Sequence, residues 1–517
     1  MTRAPRLPRL SGAIPAVAIA ALLPWVIYCA RSYPAHALYF DHSMYQYTGW
    51  CIRHGISLYS EVAVPDGPFI TWLHAGVQIV AGESDRAFRI ADLVIQTLGA
   101  FGVGSVLAPR RRRVLWAGAI ATLWLAQYFR YDWHWTAQRE AYYTLVGYAG
   151  MAMLVLATRR IGHRAIVLGV VGGLLVGSQL YGKHTGIIFV ALGFAPAILG
   201  VRHRLRRRVL LALGGVGLAI VLGLAAIALT GSIKGWMFWF FKVPGPYRYI
   251  MGSADPIALL LGIDRHTSAL AMVALLGGLA AIYLRVLPRA YLGFVAAPVL
   301  FLIAMALQRK GHIYQAHPIT AGSYLVFALI AIELVKRRGR HLLIGAALVA
   351  LVVTDAIVGL ATSTWIDPDP PSEISQLGAP HVNHGDLTAA GRKLAEITKP
   401  GDRVFAMGPA GRLLYTAKRG TAVPPFNNFF LNVKRASVIE LSADQRADLD
   451  ELQTMIASRS CRFLNQRPAA IALCDWAAWS SGSAFGDATE VCPQLHYIYA
   501  DYDKVGVYGC WALFKRK

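Results

Sequence analysis

Residues 67 to 82 read Gly-Pro-Phe-Ile-Thr-Trp-Leu-His-Ala-Gly-Val-Gln-Ile-Val-Ala-Gly, and whether this apolar run crosses a bilayer decides the topology of everything after it. The chain has 517 residues, 56% of them hydrophobic and only 15% charged, with a mean hydropathy of +0.45. Such a chain has too little polar surface for water and too many aromatic side chains for disorder, so it reads as a polytopic membrane protein. Apolar runs near 13–31, 89–109, 114–129, 141–157, 165–181, 185–200, 209–230, 267–284, 290–307, 316–335 and 341–361 give about eleven membrane helices. Between them lie six short basic connectors, at 1–12, 110–113, 158–164, 201–208, 285–289 and 336–340, which together hold 21 Lys or Arg and no acid. They account for nearly all of the net charge of +23, so the charge is a topology signal, these connectors face the cytoplasm, and no nucleic-acid partner is implied. If 67–82 spanned, every later connector would face the wrong way. The run is therefore read as a half-buried helix on the outer face, with the N-terminus inside and the tail outside. Pro24, Trp25 and Tyr28 stand where a signal-peptidase site needs small residues, so the first span is a retained anchor.

The composition shifts at Trp365-Ile-Asp-Pro-Asp-Pro-Pro. Residues 1–364 read as the membrane domain and 365–517 as a small α/β domain, the latter with helices at 386–398 and 444–458, strands at 403–408 and 469–474, and a closing hairpin at 497–514. Cys461, Cys474, Cys492 and Cys510 lie in this tail, on the oxidising side of the membrane, and imply one or two disulfides with three pairings open. No Cys or His spacing supports a structural zinc site.

Polar residues at outer helix ends are where chemistry is sought, because ionisable groups at that depth are costly. Four clusters qualify. The first is Tyr39-Phe40-Asp41-His42-Ser43-Met44-Tyr45-Gln46-Tyr47, where Asp41 suits a general base or, equally, a helix cap. The second, Arg130-Tyr-Asp132-Trp-His134-Trp-Thr-Ala-Gln138-Arg139-Glu140, reads either as a site or as an interfacial aromatic belt. The third, Tyr181-Gly182-Lys183-His184-Thr185-Gly186, offers a cation beside apolar walls that either binds a lipid phosphate or snorkels to headgroups. The fourth, Gln308-Arg309-Lys310-Gly311-His312-Ile313-Tyr314-Gln315-Ala316-His317-Pro318, joins bases to His and Tyr, which the Arg-rich inner connectors do not. The aromatic, basic stretch 234–249 reads as an interfacial helix or lid. Glu333 and Asp355 read as pairing within the bundle, with no function assigned.

In this order, the early Asp41, the Gly55-x-x-x-Tyr59, the Pro-rich turn into a second surface helix and an Arg at 86 or 89 resemble the GT-C membrane glycosyltransferases, among them the protein O-mannosyltransferases and the lipid A aminoarabinose and galacturonic acid transferases. The resemblance implies a membrane helical bundle of the GT-C fold, a polyprenyl-phosphate-linked sugar donor, an extracytoplasmic glycan, lipid or protein acceptor, and transfer with inversion. It implies Asp41 as catalytic base. His42 stands where the family commonly has a second acid. Glu140 is the nearest match to the family's second acid, with Asp132 its competitor, and Arg139 and Tyr45 lie alongside as substrate-binding candidates. Lys183 with His184 matches the family's phosphate-binding turn, and Tyr314 the late phosphate-binding Tyr, with Arg309, Lys310 and His317 as helpers. No metal or other cofactor is required by this reading, since the cations compensate the charge. Two other readings are a transporter or flippase of lipid-linked glycans and an O-antigen ligase or polymerase. The first lacks internal repeats here, and the second places its key bases in a late loop.

Overall fold

The structure is a computed structural model and describes residues 10–38, 40–64, 66–131, 133, 135–199, 205–246, 265–308, 313–337, 340–363, 384–408, 410–422, 442–474, 492–493, 496 and 498–517. Among these, nine helices are long and apolar enough to cross a membrane, which makes the chain a multi-pass membrane protein. The N-terminal helices are α1 (Leu10–Ser32), α2 (Phe40–Arg53), α3 (Pro68–Val80), α4 (Asp85–Leu107), α5 (Arg113–Phe129), α6 (Arg139–Thr158) and α7 (Gly162–Ser178). Later membrane helices run Leu205–Thr230, Arg265–Tyr283, Leu292–Gln308, His317–Arg337 and Arg340–Ala361.

Two of the eleven apolar runs are not among these nine. The helix α5 has 17 residues, and 185–200 is broken into Ile187–Gly193 and Ala195–Ile198, where Pro196 at the start of the second piece cannot donate to the preceding turn. The decisive run, 67–82, forms α3, with 13 residues. At 1.5 Å per residue it reaches about 20 Å, well short of a hydrocarbon core of about 30 Å. Its face of Ile70, Thr71, His74, Val77 and Gln78 is buried while Ile79 and Val80 are exposed. It is a half-buried amphipathic helix, packed on α2.

The chain divides into two compact units, one of Met1–His36, Arg89–Gly223 and Ala254–Ile366, the other of Ala37–Phe88, Leu224–Ser253 and Asp367–Lys517. In the first unit, His317–Arg337 is the central helix, buried along almost its whole length, whereas Val221, Leu276 and Leu351 on surrounding helices point outward as a lipid-facing surface does. Glycines set the crossing of α6 and α7. A Cβ at Gly150 of α6 would lie 2.9 Å from the Val176 nitrogen and 3.0 Å from the Gly172 carbonyl oxygen of α7, so only glycine lets these two backbones approach.

In the second unit the tail forms a five-stranded sheet of order β2-β1-β3-β5-β4, with β1 Arg403–Met407, β2 Gly420–Thr421, β3 Ala470–Cys474, β4 Tyr502–Tyr508 and β5 Trp511–Arg516. The first three strands are parallel and β5 runs antiparallel to β3 and β4. Helices His384–Ile397 and Ala443–Leu464 accompany it, the latter opened by a capping box from Ser442 and Gln445. The closing hairpin spans Tyr502–Arg516, later than the expected start, because Ile498–Asp501 is a helical turn. Phe405, Ile471, Leu473 and Phe514 form its core with Cys461 and Cys492. Of the three pairings left open by sequence, the structure selects Cys461–Cys492 and Cys474–Cys510, closing loops of 31 and 36 residues. Each is worth roughly 3 to 4 kcal/mol in the chain-entropy account. Cys29 and Cys51 are free and buried. Maleimide labelling of denatured, unreduced protein is expected to count two thiols per chain, and six after reduction; six before reduction would remove both bridges.

Candidate functional site

Glu140 occupies the first turn of α6, where an acid is favoured by the helix dipole, and its side chain has no exposure. Its Oε1 accepts from Lys183 Nζ at 2.7 Å and from Arg139 Nε at 3.2 Å. Lys183 sits between two 3-10 turns, Gln179–Tyr181 and His184–Gly186. The turn is tight enough that a Cβ at Gly186 would collide with the Gln179 carbonyl oxygen, and it aims the ammonium at Glu140, not outward to headgroups as snorkelling requires. A carboxylate this deep is tolerable only when cations come to it, and two do. The three charges sum formally to +1. His184 follows Lys183 directly in the second turn.

The turn Ile313–Ala316 packs beside this cluster, with the Tyr314 ring 5.3 Å from that of Trp135. His317, at the start of the central helix, is buried, its ring 4.2 Å from that of Tyr131. Gln127 Nε2 donates to Thr320 Oγ1 at 2.7 Å and lies 3.3 Å from His317 Nδ1. Arg139, Glu140, Lys183, Tyr314 and His317 are therefore brought together in one unit. Asp132, Arg309 and Lys310 lie outside the described residues.

A second polar cluster, of which the sequence reading singled out only the Arg at 86 or 89, fixes the same ends of α1, α4 and α5. Asp92, fully buried in α4, accepts from Tyr33 and, at 2.6 Å, from Tyr128. Arg89 Nη1 donates to the Tyr33 hydroxyl and to Thr136 Oγ1, both at 3.0 Å, and the Ala137 amide donates to the Tyr128 hydroxyl. The loop leading into Glu140 is thus tied to three helices. An acid within the apolar run 89–109 was the available signal. Asp355 pairs with Arg130 at 3.4 Å and with His266 and Tyr324, and Glu333 with Lys336 at 2.7 Å, as the sequence suggested.

Asp41 and His42 lie in the first turn of α2 in the other unit, His42 buried and Asp41 half-buried. Tyr45, fully buried, donates to Asp66 at 2.8 Å, and Tyr59 donates to the Asp66 carbonyl at 2.7 Å. The tail holds this segment closely. A Cβ at Gly411 would lie 2.9 Å from the Met44 backbone, Arg412 donates to both Asp85 carboxylate oxygens at 2.7 and 2.8 Å, and Tyr47 donates to the Arg419 carbonyl at 3.1 Å. Arg403 pairs with Glu61. Lys418, in the left-handed region at φ 54°, pairs with Glu83 at 2.7 Å, as does Arg53.

Partial burial pushes the Glu83 carboxyl up, but the hydrogen bonds from Lys418 and Arg53 outweigh it and hold it below the ordinary value. Glu61 is likewise raised by burial and lowered further by the Ser57 amide and Arg403. Groups with depressed folded values stabilise above their unfolded pKa and lose that contribution as pH falls through the folded one. Thermal unfolding followed from pH 6 to pH 3 is expected to show a drop that Glu83→Gln with Glu61→Gln flattens; an unchanged slope in the double variant would contradict this.

Among the described residues no three His, Cys, Asp or Glu side chains converge as a metal-ion cluster would. The sequence matches no protein-family model and, at a significant level, no curated protein. Solved structures do share the fold. ArnT from Cupriavidus metallidurans bound to undecaprenyl phosphate aligns at TM-score 0.54 and 12% identity over 97% of each chain, and its apo state at 0.53 and 14%, again over 97% of each. The archaeal oligosaccharyltransferase AglB from Archaeoglobus fulgidus, in complex with an inhibitory peptide and a dolichol-phosphate, gives 0.47 and 13% over 97% of this chain and 74% of that one. The two ArnT structures establish the GT-C fold for this chain, mostly helical with a small C-terminal sheet domain.

Proposed function

We propose that this chain is an integral membrane glycosyltransferase that moves a sugar from a polyprenyl-phosphate donor to an extracytoplasmic lipid, polysaccharide, wall glycan or protein. The observation that carries the reading is the buried Glu140–Lys183–Arg139 cluster, in a fold shared with a protein solved with undecaprenyl phosphate. Lys183 meets Glu140 through Nζ and Arg139 through Nε, and an ammonium with three N–H donors beside a guanidinium with five is the chemistry that holds a phosphate. Glu140 then orients the cations, and their formal excess of one positive charge offsets the charge that grows on the phosphate as the sugar leaves. Tyr314 and His317, with Arg309, Lys310 and His184, are assigned to the same phosphate.

Asp41 is assigned as general base, with His42 beside it. It takes the proton of an acceptor hydroxyl, whose oxygen forms a bond to the anomeric carbon from the face opposite the phosphate. The bond from that carbon to the phosphate oxygen breaks, its electron pair stays on oxygen, and polyprenyl phosphate is released. Tyr45, through Asp66, steadies the same helix. The side of the membrane follows from the basic connectors, which place the N-terminus in the cytoplasm. The two disulfides of the tail fit the periplasmic side of a bacterial inner membrane.

Purified protein in detergent, given polyprenyl-phosphate sugars and a membrane extract, is expected to release free polyprenyl phosphate. Asp41→Asn should retain donor binding and lose about a hundredfold or more in release, within the range of a missing general base. Full activity in Asp41→Asn would remove the base assignment, and donor binding without release in the wild type would favour a transporter.

A further inference from the structure

The charged cluster is bordered by buried polar groups that the fold leaves unmatched. Gln138, at the N-cap position of α6, is 1% exposed, yet neither its Oε1 nor its Nε2 has a hydrogen-bond partner among the described residues. Gln315, beside Tyr314 and 4% exposed, is in the same condition at both atoms. The second oxygen of Glu140, the Thr144 hydroxyl one turn further along α6 and the Oε1 of Gln127 are also buried and unmatched. The Trp135–Tyr314 ring contact brings the loop carrying Gln138 against the turn carrying Gln315, so these groups border one place. Native folds pair nearly all buried polar atoms, and a concentration of exceptions marks groups that a ligand completes.

The chemistry of the set identifies the ligand. A phosphate offers only acceptors and is served by Lys183 and Arg139, whereas the unmatched set combines carbonyl and carboxylate acceptors with two amide NH2 donors. A sugar hydroxyl both donates and accepts, and this mixture suits several of them. An ammonium-bearing sugar would need a free carboxylate, but Glu140 is already shared by two cations in a cluster of net formal charge +1. A uronate would compete for the cations that the phosphate uses. Resting on the donor reading above, we infer that Gln138 and Gln315 form the sugar-recognition subsite and select an uncharged, hydroxyl-rich sugar on the polyprenyl phosphate.

The test uses the full-length protein in nanodiscs with three synthetic donors on one prenyl phosphate: a neutral hexose, a 4-amino-4-deoxypentose and a hexuronic acid. The neutral donor is expected to show kcat/KM at least about tenfold above the other two. Gln138→Leu and Gln315→Leu should each lower that value about tenfold, the scale of losing a hydrogen bond that a site is built to make. Both variants should bind sugar-free undecaprenyl phosphate within about twofold of the wild type and keep or raise Tm, because leucine replaces an amide whose polar atoms the fold does not satisfy. Preference for the amino or acidic donor, or full activity in both leucine variants, overturns the subsite while the donor reading stands. Binding of undecaprenyl phosphate with turnover of none of the three donors also overturns the subsite. If undecaprenyl phosphate does not bind and no donor turns over, the donor reading falls and the subsite with it.

Discussion

A carboxylate with no exposure to solvent, set in the first turn of a membrane helix, must be met by cations or the helix cannot be placed there. Glu140 meets two. One is its own neighbour Arg139, and the other, Lys183, arrives across 43 residues. That second contact constrains the local architecture. The helices α6 and α7 must cross closely, which Gly150 and Gly172 permit, and the chain must turn sharply after α7, which Gly186 permits. Replacing the trio by apolar residues would cost the fold little or even stabilise it. Under the proposed function, the trio serves the phosphate that its two cations hold.

The rest of the first unit reads as support for that arrangement. The Asp92 cluster uses two tyrosine hydroxyls and Arg89 to bind the ends of α1, α4 and α5 to the loop that delivers Glu140. Tyr148 on α6 donates to the Pro318 carbonyl at 2.8 Å, and Tyr131 meets Thr320 at 2.8 Å, anchoring the start of the central helix to its neighbours. By the order of the elements, these contacts fall at the helix ends opposite the Arg-rich connectors. In the second unit the tail is joined to α2 by the hydrogen bond from Tyr47 to the Arg419 carbonyl, and to the loop after α2 and the start of α4 by the pairs Arg403–Glu61, Lys418–Glu83 and Arg412–Asp85. The helix that carries Asp41 therefore depends on residues more than three hundred positions later.

Much of this was legible in the sequence because membrane burial writes itself as length and charge. Nine of the eleven expected spans follow from the apolar runs, the alternation of basic connectors reads α3 as non-spanning, and Glu140 and Lys183 stand out as costly groups at helix ends. Their pairing was not legible, since it depends on a glycine-mediated crossing that no local pattern specifies. Asp92 was passed over as one acid in a long apolar run, although its depth is the reason it is informative. Gln138 and Gln315 were missed for a different reason: a glutamine beside charged residues reads as solvated polarity, and only burial without partners distinguishes it. The grouping of residues 37–88 and 224–253 with the tail depends on backbone contacts between distant positions, such as Gly411 against Met44, which the composition shift near 364 does not encode.

The central claim is that the buried cations beside Glu140 hold a lipid phosphate, and equilibrium binding of sugar-free undecaprenyl phosphate to nanodisc-embedded protein tests it most directly. The account predicts that Lys183→Met weakens binding by about tenfold or more, the scale of one charged hydrogen bond, while the variant remains folded by its Tm. Unchanged affinity in a folded Lys183→Met protein would contradict it.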